Sequence, residues 1–170
     1  MKASVWLMGL AVAGMLAACS KNDAFEDVNN VDLNNQTAGA VAGTAGDPTS
    51  PVYFQQAVGD RVFFLVDQST LNDDARTTLD AQASWLLQNT DYVATIEGHA
   101  DEQGTREYNV ALGERRANAA REYLISRGVA GNRLKIVSYG KERPVEICSV
   151  ESCYAKNRRA VTVLAAGLTG

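Results

Sequence analysis

The chain reads as an α/β sandwich, with a small four-stranded sheet packed by two long helices and a short third helix. Three observations predict it. Four short β-type runs, starting near residues 61, 92, 133 and 159, alternate with helix-type segments. Both long helical segments carry apolar residues at three- and four-residue spacing. The 170 residues, 7% aromatic and 21% charged, suffice for one domain with a core.

In chain order, residues 61–66 are a continuous apolar run, expected as a buried strand. Asn72, Asp73 and Asp74 make a helix start, with acids at the positive end of the helix dipole. Ala75, Leu79, Ala83 and Leu86 then repeat at helical spacing to about Gln88. Residues 92–97 are the second strand. A polar turn leads into a helix expected from about Thr105 to Ser126, ending near Gly128. Residues 133–138 are the third strand and 139–144 a loop. A short helix over 152–157 precedes the last strand, 159–164.

The long second helix carries an anomaly. Leu112, Ala117, Ala120, Tyr123 and Leu124 share one broad face, while Glu114, Arg115, Arg121 and Glu122 point to solvent. Arg116, four residues after Leu112 and four before Ala120, falls inside the apolar face, and Asn109 lies on the same stripe. A buried guanidinium left unpaired costs several kcal/mol, so an acid is expected to meet it. Asp101, in the turn before the helix, is the nearest candidate. Two readings stay open. One is an internal salt bridge that ties helix to turn. The other is a site for a small zwitterion, with Arg116 forking onto a carboxylate and Asp101 taking an ammonium.

The net charge of −4 is uneven: residues 19–57 hold one lysine and five acids, residues 58–170 fourteen basic and fifteen acidic side chains. No basic stripe covers the domain, so nucleic acid is not an expected partner. His99 is the one histidine. It is read as a strand-end residue, because it lacks companions for a metal centre and a nucleophile for catalysis. No metal or cofactor is expected.

Residues 1–18 read as a targeting segment: Lys2, then an apolar stretch from Val5 to Ala18, too short for a spanning helix. It ends at Leu16-Ala17-Ala18-Cys19, which resembles the lipobox of bacterial lipoproteins. That implies cleavage before Cys19 and lipid addition there, and Ser20 then favours the outer membrane. Several acyl chains make a stable anchor at roughly 0.8 kcal/mol per buried methylene. Residues 20–51 are rich in Asn, Gly, Ala, Thr and Asp without periodicity, and read as a linker spanning roughly 30 Å on average. The expected organisation is a signal segment over 1–18, the lipidated Cys19 and linker over 19–57, and a folded domain over 58–170. In a periplasmic compartment Cys148 and Cys153 suit a disulfide that closes a short loop, with two free thiols the alternative.

Several runs resemble the OmpA-like peptidoglycan-binding domain family. They are Gly98-His99-Ala100-Asp101-Glu102-Gln103-Gly104-Thr105, Tyr108-Asn109, Leu112-Gly113-Glu114-Arg115-Arg116-Ala117-Asn118-Ala119, Val137-Ser138-Tyr139-Gly140-Lys141-Glu142-Arg143-Pro144 and Asn157-Arg158-Arg159-Ala160-Val161. The resemblance covers about residues 60–166, plus the lipobox. It implies a two-layer sandwich on a mixed sheet and a non-covalent grip on the diaminopimelate of a peptidoglycan stem peptide. Asp101 and Arg116 match the family's main ligands, with Asn109 as a further hydrogen-bonding group, Leu112 as an apolar wall and Arg158 lining the site. At the end of the first strand Asp67 matches the family pattern and Leu65 departs from it, so contacts near Phe64 are expected through backbone.

The resemblance implies a tether rather than an enzyme: lipid in the outer membrane, domain on the wall. Lipid-anchored members further imply the Tol proteins as partners, with TolB competing for an overlapping surface, and a role in envelope integrity and cell division. The alternative is a periplasmic cell-wall hydrolase using Asp101, Glu97 or Glu102 as acid and base. A motor stator or porin tail is not expected, since each needs a membrane helix or barrel.

Overall fold

The structure, a computed structural model, describes residues 42–166. The expected signal segment, the Cys19 lipidation site and most of the expected linker lie outside the described residues.

Four strands form one sheet: β1 (Arg61–Phe63), β2 (Tyr92–His99), β3 (Leu134–Gly140) and β4 (Arg159–Ala166), in the order β1-β4-β2-β3. β4 runs antiparallel to β1 and β2, while β2 and β3 are parallel, so the sheet is mixed. Between the strands stand α2 (Asp73–Gln88), α3 (Arg106–Ser126) and the short α4 (Glu151–Asn157). Asn72 caps α2, its Oδ1 accepting from the Ala75 N–H at 2.8 Å. Thr105 caps α3, its Oγ1 accepting from the Tyr108 N–H at 3.2 Å.

Side chains alternate across a strand. Ala94 and Ile96 of β2 therefore enter the core beneath the helices, where Leu79, Leu86, Ala117, Ala120 and Leu124 meet them. Glu97 and His99 belong to the other face of the sheet. α3 can lie close to β2 because two glycines face each other. A Cβ on Gly98 would stand 1.8 Å from the Gly113 carbonyl oxygen.

Two expectations change. The first strand is shorter than residues 61–66. It leaves the sheet after Phe63, and Leu65 and Val66 are exposed. The physical reason lies in the backbone: the Leu65 and Gln68 carbonyls accept from Arg116 instead of continuing a ladder, and Asp67 turns the chain with φ of 56°. The packed unit also begins upstream of residue 58. Ser50 caps a helical turn, α1 (Pro51–Tyr53), which continues as a π-helical turn (Phe54–Gly59). Phe54 is fully buried against Trp85, with ring centroids 5.0 Å apart, and the Trp85 indole donates to the Pro48 carbonyl at 2.7 Å. An apolar anchor of one or two residues does not register in a composition dominated by polar and small residues.

Candidate functional site

The strand directions bring the C-terminal ends of β1, β2 and β3 to the same end of the sheet as the start of β4; Phe63 pairs with Arg159, Gly98 with Ala160, and His99 with Gly140. The loop after β1, the turn after β2, the first turns of α3 and the residue before β4 converge there. A cleft of about 270 Å³ opens between them, lined by Asp67, Asp101, Gln103, Gly104, Tyr108, Asn109 and Leu112, with Val66 at its edge.

Asp101 is nearly buried in this cleft. Its Oδ1 accepts the Gln103 N–H at 3.2 Å, and its Oδ2 lies 3.2 Å from Nη1 of Arg158. Asn109, on the first turn of α3, reaches back across the turn and donates to the Gln103 carbonyl at 2.8 Å. Leu112, one helical turn further on, is the apolar wall. Asp67 and Tyr108 join the two sides of the cleft through a hydrogen bond from the tyrosine hydroxyl to the carboxylate. That bond raises the Tyr108 pKa above its ordinary value.

Arg116 is fully buried, and among the described residues its hydrogen bonds go to carbonyls rather than to a carboxylate. Its Nε donates to the Gln68 carbonyl and its Nη1 to the His99 carbonyl, both at 2.8 Å, and its Nη2 to the Leu65 carbonyl at 3.2 Å. Of the two readings left open for this pair, the internal Asp101–Arg116 salt bridge is not formed. The carbonyl of the last residue of β2 and two carbonyls of the loop after β1 supply the acceptors, and Asp101 pairs with Arg158 instead. Arg116 stacks over the Phe64 ring, 5.3 Å from its centroid. Burial pulls the Arg116 pKa down to about 10, with the Arg158 cation adding to the fall and the Asp101 and Asp67 charges offsetting it. It stays protonated at neutral pH.

Of the residues singled out in the sequence, Asp67, Asp101, Asn109 and Leu112 line the cleft together. Arg116 lies behind it. Phe64 faces the core, and its backbone exchanges two bonds with Arg158: the Phe64 N–H to the Arg158 carbonyl at 2.9 Å, and Arg158 Nε to the Phe64 carbonyl at 3.2 Å. Arg158 is buried. Burial opposes its charge, but bonds to Glu151 and Asp101 hold its pKa above the ordinary arginine value. Tyr108 is a cleft residue beyond those expected from the sequence, and its place four residues before Leu112 puts both on one helical face.

Residues 63–158 match the model of the OmpA family. The chain belongs to the OmpA family. Among its relatives is a protein of Rhizobium meliloti (strain 1021) named peptidoglycan-associated lipoprotein, 52% identical over 159 residues, 93% of this chain and 84% of the relative. A solved structure of the peptidoglycan-associated lipoprotein from Burkholderia pseudomallei is 36% identical, covering 71% of this chain and 98% of that one, with a TM-score of 0.63. The C-terminal domain of Helicobacter pylori MotB, at 21% identity and a TM-score of 0.59 over 64% of this chain, shares the fold.

In this OmpA-family chain His99 ends β2, as expected from the sequence. It is buried, stacks obliquely on Tyr139 at 5.6 Å between centroids, and neither ring nitrogen finds a hydrogen-bond partner among the described residues. Burial, together with the Arg159 and Arg143 cations, lowers its pKa to about 4. Cys148 and Cys153 form a disulfide, with Cα atoms 5.9 Å apart. No group of three or more metal-ligating side chains occurs among the described residues.

Proposed function

We propose that this OmpA-family chain is an outer-membrane lipoprotein that holds peptidoglycan non-covalently, gripping the diaminopimelate of the stem peptide in the cleft beside α3. One observation carries the reading: an acid, Asp101, lines a small cleft whose floor is backed by a buried, protonated arginine. The side-chain end of diaminopimelate carries one ammonium and one carboxylate. The ammonium goes to Asp101. The carboxylate goes to Arg116, whose Nη1 and Nη2 each retain an N–H beyond the three bonds already made. Entry requires the Tyr108–Asp67 bond, which links the cleft walls, to part.

The names of the relatives support association with peptidoglycan and a lipid anchor. No helix among the described residues is long and apolar enough to cross a membrane. The lipobox with Ser20 supports the outer membrane as the anchored side. The Tol proteins as partners, TolB binding at an overlapping surface and a part in cell division rest on family resemblance. The relatives named here carry no enzyme name, and the chain acts by binding. The hydrolase alternative finds no support in the geometry: Asp101 is held by Arg158, Glu102 by Ser149 and Tyr154, and Glu97 belongs to the opposite face of the sheet.

The test is co-sedimentation of the detergent-solubilised full-length chain with purified diaminopimelate-type sacculi, beside Asp101→Asn, with melting curves on the same samples. The wild type should pellet and be released by excess free diaminopimelate. Asp101→Asn should stay in the supernatant while melting cooperatively. A wild type that stays in solution, or a folded Asp101→Asn that pellets equally, would overturn the reading.

A further inference from the structure

The disulfide joins Cys148 to Cys153, so the chain enters α4 through a covalently closed loop. Glu151 stands at the first position of that helix and Arg158 at its C-cap. Seven residues are close to two helical turns, so both lie on one face. Arg158 is 4% exposed, and its guanidinium serves two carboxylates at once. Nη1 is 3.2 Å from Asp101 Oδ2 and 3.4 Å from Glu151 Oε2, while Nη2 bonds Glu151 Oε1. Asp101 lines the cleft; the Glu151 side chain is 66% exposed on the outer surface. The same loop makes a second connection. Ser149 Oγ and Tyr154 Oη donate to Glu102 Oε1 at 3.0 and 2.9 Å, holding the residue next to Asp101.

The charge count gives this arrangement a consequence. A single Asp101–Arg158 pair would be neutral, and a closed pair offers little attraction to a third charge. Adding Glu151 makes the trio net negative by one. The Arg158 guanidinium is divided between two acids, so its charge is not spent on Asp101 alone.

We propose that Glu151, presented by the Cys148–Cys153 loop, is a positioning residue that acts through Arg158 to keep the Asp101 carboxylate available for the ammonium of the ligand. This rests on the diaminopimelate reading above. The exposed carboxylate does not touch the ligand. It sets how strongly Arg158 holds the residue that does.

The experiment is calorimetric titration of the full-length chain with two synthetic stem peptides. One carries meso-diaminopimelate; the other is identical except that hydrogen replaces its side-chain ammonium. The wild type should prefer the first by tenfold or more. Glu151→Gln should bind the ammonium peptide about fivefold more weakly and leave the deaminated peptide unchanged, so the preference shrinks. The double variant Cys148→Ser, Cys153→Ser should shrink it in the same direction. A merely structural role would weaken both peptides alike, and that outcome overturns the proposal. So does a Glu151→Gln variant with undiminished preference, which leaves the cleft reading standing. A wild type without preference overturns the diaminopimelate reading itself and this inference with it.

Discussion

Arg116 was conspicuous as a charge on an apolar stripe, and it is fully buried. Its partners were not legible. They are carbonyls of Leu65, Gln68 and His99, and a carbonyl leaves no mark on the residue type that bears it. Asp101 stood out in the sequence and lines the cleft, whereas its pairing with Arg158, 57 positions later, was not legible. His99 yields a pH prediction. Its native pKa of about 4 lies below the ordinary 6.5. Between those values the unfolded chain binds a proton that the native state refuses, so stability falls as pH drops through that window. The shift is worth roughly 3 kcal/mol. Urea unfolding at pH 7 and pH 4.5 should therefore show the wild type losing about 2–3 kcal/mol more than His99→Gln. Parallel losses would mean that His99 is not held neutral.

At the scale of the element, α3 depends on its closeness to β2. Gly98 and Gly113, each within a motif conspicuous in the sequence, meet across the helix–sheet boundary; a Cβ on Gly113 would stand 2.9 Å from the Gly98 carbonyl oxygen and 2.4 Å from Ser138 Oγ. The contact sets how far Arg116, three residues beyond Gly113, reaches down to the His99 carbonyl. Gly98→Ala meets backbone, which cannot rotate away as a side-chain tip can. It should cost about 3 kcal/mol by thermal unfolding, at the upper end of overpacking effects. It should also weaken sacculus binding in the fraction that remains folded. A melt within a degree of wild type would show that the helix shifts freely and that the glycine pair is not what seats it.

For the molecule as a whole, the packed unit reaches upstream as far as Pro48. Phe54 lies against Trp85, which in turn packs on Tyr92 at 5.3 Å between ring centroids. Phe54→Ala should cost about 3–5 kcal/mol in chemical unfolding. A chain beginning at residue 58, which also loses the Trp85–Pro48 bond, should be less stable still. Equal stability of a chain starting at 58 and one starting at 42 would restrict the domain to the later boundary.

The alternation of apolar runs with 3.6-residue periodicity was enough for the four strands, the two long helices and the short third, because those patterns are local and each is set by which face of its own element is buried. Asn72 and Thr105 mark helix starts for the same reason, since a cap acts on the backbone two or three residues ahead. The odd arginine was visible because a charge on a buried stripe conflicts with its local surroundings. Strand order, the convergence of strand ends, the carbonyl cage around Arg116 and the Glu151–Arg158–Asp101 chain belong to tertiary structure alone. Each joins groups far apart in sequence through bonds whose acceptors are backbone or whose partners are chosen by topology, and no local pattern encodes such a choice.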